Sequence, residues 1–229
     1  IFNEKKYPCI RYFLGDIRDY ERLNLAFQDM DIIVHAAALK HVSAAEYNPF
    51  EFVKTNILGA QNIVEAAIQN KVKKTIALST DKAVNPINLY GATKLASDKL
   101  IIAANNLVGN DDISFSVVRY GNVMDSRGSV LPIYKEILNQ KNNSFPLTHK
   151  DMTRFFVSLS DSVNFVIKSI AMMKGGEIFI PKLFSFKIRD LILTLSPKAK
   201  IINIGIRPGE KMHESLISIE SYKSIIEYK

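Results

Sequence analysis

Apolar runs of strand length, set apart by long stretches of helical period, limit what this chain can fold into more than any other feature. Arg11–Leu14, Asp31–Ala36 (DIIVHA), Lys74–Ser79 (KTIALS) and Ser114–Tyr120 (SFSVVRY) read as strands. Between them lie a short helix over Asp19–Phe27, with Leu23 and Phe27 inward, and two long helices over Pro49–Asn70 and Leu89–Leu107. In the longer stretch Phe52, Val53, Ile57, Ala60, Ile63, Val64 and Ala67 share one face. Near-continuous apolar strands joined by helices predict a parallel sheet covered on both sides. After Gly121 the alternation lapses. A helix near Val130–Asn139 and a polar loop at Lys141–Asn143 precede shorter elements around Phe155–Val157, Ile167–Met173 and Glu177–Ile180. The expected organisation is an α/β domain over residues 1–123 and a smaller α/β lobe over 124–229.

Composition removes several alternatives. With 47% hydrophobic and 23% charged residues the chain is not disordered. Its apolar stretches, such as Ile32–Leu39, fall short of the roughly 18 residues a membrane span needs. The opening FNEKKYP carries no secretory pattern, and one cysteine, Cys9, cannot form an internal disulfide. A cytoplasmic protein with no membrane partner is expected. The net charge of +7 is scattered, with no dense run beyond Lys71–Lys74, so phosphorylated small molecules fit better than nucleic acid. The four histidines lack ligand spacing, and no metal is expected.

In an open parallel sheet, ligands bind beyond the carboxyl ends of the strands. Four segments occupy those positions: Gly15–Ile17, Ala36–Lys40, Ser79–Lys82 and Tyr120–Val123. Small residues at Ala36–Ala38 permit close approach of a flat or phosphorylated ligand. Asp81 and Lys82 set an acid beside a base, and Tyr90 and Lys94 stand four residues apart on one helix face. A nearby ammonium favours a phenolate, so Lys94 is expected to lower the Tyr90 pKa. By spacing alone each pair is also what an ordinary surface turn or helix shows.

STDKAVNPINLYGATK (Ser79–Lys94), GDIRD (Gly15–Asp19), HAAALKHV (His35–Val42) and KTNILGAQN (Lys54–Asn62) together resemble the extended short-chain dehydrogenase/reductase superfamily. RYGNV (Arg119–Val123), SRGSV (Ser126–Val130) and RPGEKMHE (Arg207–Glu214) narrow the resemblance to the inverting UDP-N-acetylglucosamine 4,6-dehydratases, which begin pseudaminic acid synthesis. It runs from about Ile10 to Ile219. It implies a Rossmann-like doubly wound sheet binding NADP (with NAD as the alternative), the substrate UDP-N-acetylglucosamine, and a homo-oligomer.

The resemblance also implies roles. Tyr90 takes the sugar O4 proton, Lys94 holds the nicotinamide ribose, Lys82 removes the C5 hydrogen, Asp81 protonates the departing C6 hydroxyl, and Thr80 hydrogen-bonds nearby. Asp16 and Ile17 flank the adenine, and Ala36 and Lys40 line the cofactor channel, Lys40 also reaching the substrate. Asn122, Val123, Arg127 and Arg207 approach the sugar nucleotide, and Glu210 meets the uridine ribose. Retaining relatives carry methionine where Tyr90 stands, so the tyrosine form resembles the inverting branch. A UDP-sugar 4-epimerase shares Tyr90, Lys94 and the cofactor but has no need of Asp81 and Lys82; a non-catalytic dinucleotide sensor needs none of the four. The family's opening G-x-G-x-x-G loop is absent, and the chain begins at Ile1. The expectation is an internal piece of a longer enzyme, inactive by itself, with Arg11–Leu14 lacking a neighbour.

Overall fold

The expected strands pair in parallel in the computed structural model, which describes residues 6–109, 111–126, 128–140 and 142–228. Helix α1 (Tyr20–Ala26) is capped by the Asp19 carboxylate, which accepts from Arg22 N. Strand β1 (Ile32–His35) leads into α2 (Val42–Tyr47), a short helix not expected from the sequence, and α3 (Pro49–Phe52). A π-helical segment, Val53–Leu58, joins α3 to α4 (Gly59–Gln69), so the helix expected over Pro49–Asn70 is interrupted. Strand β2 (Lys74–Thr80), helix α5 (Leu89–Ala103) and strand β3 (Ser114–Tyr120) follow within a few residues of their expected limits.

Beyond β3 come β4 (Asn122–Val123), α6 (Val130–Asn139), β5 (Ser144–Leu147), β6 (Thr153–Val157) and α7 (Leu159–Met172). Then β7 (Ile178–Phe179), β8 (Ser185–Lys187), α8 (Ile188–Leu195) and β9 (Lys200–Asn203) complete the order. The main sheet runs β1-β2-β3-β7, all parallel, with Ala77 opposite both His35 and Val117.

Alternation along β2 and β3 supplies both faces of this sheet. Ala77, Phe115 and Val117 pack with Ile63, Val64 and Ile101 of α4 and α5. Ile76 and Val118 point the other way, onto Val166 and Met173 at α7. Thus α7 and β7, from the second segment of the chain, return to finish the first sheet. A separate core forms where α6 and α8 meet the β5–β9 pair, around Tyr134, Phe145, Leu147 and Ile192.

The strand expected at Arg11–Leu14 is not formed. An extended segment needs a ladder partner for its backbone groups, and among the described residues no strand pairs with it. Leu14 is 92% exposed, and Arg22 caps the segment instead, donating to the Leu14 carbonyl at 2.7 Å. No helix of the described residues is long and apolar enough to cross a membrane.

Candidate active site

The carboxyl end of β2 turns straight into the residues that carry chemistry. Asp81–Ala83 form a single 3₁₀ turn whose cap is Thr80. The Thr80 hydroxyl donates to Asp81 Oδ1 at 2.9 Å and accepts from Lys82 N at 3.3 Å. Helix α5 starts six residues later, where Asn88 Oδ1 accepts from Gly91 N at 2.8 Å. Gly91 lies against this turn so closely that a Cβ would collide with the Lys82 carbonyl oxygen. That contact seats Tyr90, in the first turn of α5, beside Thr80 and Asp81.

Lys82 Nζ reaches Asp81 Oδ1 at 3.1 Å and Asn122 Oδ1 at 3.2 Å. Asn122 is held there by the β3–β4 corner, where Gly121 packs on Phe155 with no room for a side chain. Asp81 is fully buried, and its Oδ2 has no hydrogen-bond partner among the described residues. Thr80, Asp81, Lys82, Tyr90 and Asn122 therefore form one group, and β4 places Val123 next to it, paired with Val157.

Electrostatics correct one expectation. Burial pushes the Tyr90 phenol well above its ordinary value; its contact with Thr80 opposes the rise, while Asp81 and Asp98 add to it. Lys94 does not bring it down. Its ammonium is buried one turn deeper and donates to the Leu78 carbonyl at 2.7 Å. Burial lowers the Lys94 pKa, and only Asp98, a turn farther along α5, works against that.

His35, at the end of β1, is lowered to about 4 by burial first and by the Lys94 charge second. It is neutral in the folded chain and gains a proton more readily when unfolded, where its pKa is 6.5. Its contribution to stability is complete above about pH 6.5 and drains away as the pH falls towards 4, a loss of about 3 kcal/mol. The urea midpoint should therefore drop between pH 7 and pH 4.5. That drop should shrink in His35→Gln; equal drops in the two proteins would contradict the assignment.

The remaining expected residues fall into two further places. Asp16 and Ile17 form a turn against α4: Ile17 packs on Gly59, and its carbonyl accepts from Asn62 at 3.0 Å. The Arg18 guanidinium hydrogen-bonds Asp16, holding its carboxyl below the usual range, and also pairs with Glu51 at 2.8 Å. Ala36 and Lys40 are exposed in the loop after β1, which buried Asn56 fixes by bonding Leu39 N and O, both at 2.9 Å. Asn56 sits in the π-helical segment and also donates to Thr93 of α5 at 3.0 Å.

Arg207 pairs with Glu210 at 2.9 Å. Burial raises the Glu210 carboxyl, but hydrogen bonding and charge from Arg207 outweigh it and leave the group lowered. Arg127 lies outside the described residues.

Several residues of this region were not picked from the sequence. Arg154 of β6, mostly buried, faces Glu210 at 3.8 Å and makes a second arginine for an anionic ligand. Asp98 and Arg119 pair at 3.0 Å beneath the site. Glu214 lies 3.9 Å from Lys82. It stood inside the quoted RPGEKMHE run, yet only its return onto β2 reveals it. Asn88 Nδ2 donates to Gly209 O at 2.7 Å and Lys211 Nζ to Val84 O at 2.6 Å, which hold the returning segment in place.

A cavity of about 540 Å³ opens elsewhere, beside α7 and among Phe156, Phe165, Phe184 and Phe186. It contains none of the acid–base residues, so the site is assigned by its chemistry. No group of three or more potential ligands for a metal occurs among the described residues. The nicotinamide end of a dinucleotide suits the groups at hand. Lys94 makes one hydrogen bond among the described residues, leaving donors for a ribose, and Ala36–Ala38 are small and exposed just after β1.

Residues 2–229 match the family of polysaccharide biosynthesis proteins. The chain is 56% identical over 222 residues to a UDP-N-acetylglucosamine 4,6-dehydratase (inverting) of Campylobacter jejuni, covering 97% of this chain and 66% of that protein. It is 45% identical over 217 residues to a UDP-glucose 4-epimerase of Rickettsia bellii, covering 93% and 63%. The chain thus spans about two thirds of the length of these relatives. A dTDP-glucose 4,6-dehydratase from Streptomyces venezuelae, solved with NAD and TYD bound, superposes with a TM-score of 0.80 at 23% identity, covering 91% of this chain and 71% of that one. That likeness confirms the α/β fold.

Proposed function

The chain belongs to the polysaccharide biosynthesis protein family, and we propose that it serves as the catalytic part of an inverting UDP-N-acetylglucosamine 4,6-dehydratase. The observation that carries this reading is the junction of Asp81, Lys82 and Tyr90 through Thr80 at one strand end. Identity of 56% to the Campylobacter jejuni enzyme supports it. Residues 1–123 take the dinucleotide side and 124–229 mainly the sugar-nucleotide side.

The hydride chemistry, from C4 and back to C6, would be supplied by a bound nicotinamide dinucleotide, NADP in our reading. Lys94 and the Ala36–Lys40 loop would hold its nicotinamide ribose end, and Asp16 and Ile17 its adenine. Tyr90 accepts the O4 proton as phenolate, a form that burial disfavours in this structure and that the positive charge of a bound oxidised nicotinamide would favour. Oxidation at C4 acidifies the C5 hydrogen, which Lys82 removes while Asp81 gives its proton to the leaving C6 hydroxyl. C5 is then reprotonated from the opposite face, giving the L-arabino 4-keto-6-deoxy sugar nucleotide and water. Arg207 and Arg154 bind the diphosphate, Glu210 the uridine ribose, and Asn122 and Val123 the sugar. General acids and bases each contribute about 10²–10⁴ to such a rate.

The Rickettsia bellii likeness favours one rival, a 4-epimerase. Such an enzyme uses a tyrosine base but leaves C5 and C6 untouched, so a buried acid beside a lysine has no task in it. The test is proton NMR on UDP-N-acetylglucosamine turned over by the intact protein in heavy water, read before spontaneous C5 epimerisation. Deuterium at C5 with L-arabino ring couplings is expected. A C4 epimer with protium at C5 would establish the epimerase, and an initial D-xylo ketone would remove the inverting assignment.

A further inference from the structure

Lys82 has three oxygens around its ammonium, each from a different part of the chain. Asp81 Oδ1 is its sequence neighbour at 3.1 Å, Asn122 Oδ1 comes from β4 at 3.2 Å, and Glu214 Oε1 stands at 3.9 Å on the segment that follows Arg207. The Glu214 side chain is only 4% exposed, and its second oxygen, Oε2, has no hydrogen-bond partner among the described residues. Lys211 Nζ lies 3.6 Å from that oxygen but donates to the Val84 carbonyl. The segment is pinned from both sides of the cleft. Thr153 N donates to Met212 O at 3.1 Å, and Arg119 NH1 donates to Leu216 O at 3.3 Å. A carboxylate is costly to bury unless cations compensate it, and among the described residues Lys82 and Lys211 are the two that approach it.

We propose that Glu214 is a positioning residue for Lys82. The inference rests on the reading of Lys82 as the C5 base. A lysine head is a compact charge on a flexible stem. With Asp81 alone beside it, the ammonium settles on that carboxylate, which is the wrong pairing for an acid that must donate a proton and a base that must accept one. Nζ stays within hydrogen-bond distance of Asp81 and Asn122, and the Glu214 charge at 3.9 Å pulls from the other side, keeping the ammonium from closing further onto Asp81. The charge of Glu214, rather than its bulk, is what the site uses.

Two variants separate charge from bulk in the intact protein. Glu214→Gln keeps the shape and loses the charge; Glu214→Asp keeps the charge and loses a methylene. Trace acetylation with acetic anhydride, read at each lysine by mass spectrometry, reports how freely the Lys82 amine is presented rather than held against its neighbours, with exposed Lys54 as the internal standard. Lys82 labelling is expected to fall about three- to tenfold in Glu214→Gln, where the amine closes onto Asp81, and to stay near the original level in Glu214→Asp. In turnover, Glu214→Gln should slow C5 hydrogen exchange by about ten- to a hundredfold, with C4 oxidation and KM affected less. Unchanged or increased Lys82 labelling in Glu214→Gln, or an equal fall in both variants, overturns the proposal. Failure of both variants to fold also overturns it, because Glu214 then serves the fold. Labelling decides the matter whatever the substrate proves to be; absence of a 4-keto product from the unmodified protein would refute the dehydratase reading alone.

Discussion

Replacing Lys82 by alanine should abolish exchange of the C5 hydrogen with solvent and lower turnover of UDP-N-acetylglucosamine by about 10²–10⁴. In free energy that is about 3–5 kcal/mol of transition-state stabilisation. The side chain leaves a confined setting, between Asp81 at 3.1 Å and Asn122 at 3.2 Å, with no other amine within reach of those two oxygens among the described residues. Lys94 cannot replace it, because its ammonium is buried and hydrogen-bonded to Leu78. For the same reason dinucleotide affinity should persist in Lys82→Ala. Asp81→Asn should behave differently, permitting C5 exchange while slowing loss of the C6 hydroxyl. Isotope exchange by NMR and turnover on the same samples check both expectations. Near-normal exchange in Lys82→Ala would take the residue out of the mechanism.

The parts of this site that follow the chain locally are legible in the sequence. The limits of α6 were read as they stand, and β3 too, because apolar period and polar flanks coincide there. Asp81, Lys82 and Tyr90 come together within one strand, one turn and one helix cap, all of them short-range features. What escaped depends on distant pieces of chain. Glu214 and Arg154 enter the cleft only because the segment after β9 folds back between β6 and the β2 turn. The π-helical segment escaped because its extra residue per turn leaves the apolar sequence Phe52, Ile57, Ile63 still looking like a plain helix. Arg11–Leu14 failed for the opposite reason, since an apolar run specifies a strand only where a neighbour accepts its ladder. The effect of Lys94 on Tyr90 was misjudged because spacing along a helix reveals charge but not burial.

The largest stability change is expected at Asp98. Four residues beyond Lys94 on the same face of α5, it looks in the sequence like one more polar helix residue. In the structure it is buried between two strands, its Oδ2 accepting from Ser79 Oγ at 2.7 Å and from Arg119 NH2 at 3.0 Å. Asp98 thereby ties α5 to β2 and β3 beneath the reacting groups. Arg119 is buried as well; its NH1 donates to Leu216 O, while its Nε has no partner among the described residues. Asp98→Ala removes the one carboxylate that compensates this guanidinium, and breaking a buried pair from one side costs about 3–5 kcal/mol. Removing both charges should cost less, because the guanidinium is then no longer left uncompensated, although buried Lys94 also loses the opposing charge of Asp98. Asp98→Ala with Arg119→Met is accordingly expected to be more stable than Asp98→Ala alone, a clear departure from additivity. Urea midpoints of the four proteins at pH 7 give the cycle. If Asp98→Ala falls within about 1 kcal/mol of the parent, or if the double variant is simply the sum of the singles, the pair does not hold the site's floor and another contact must.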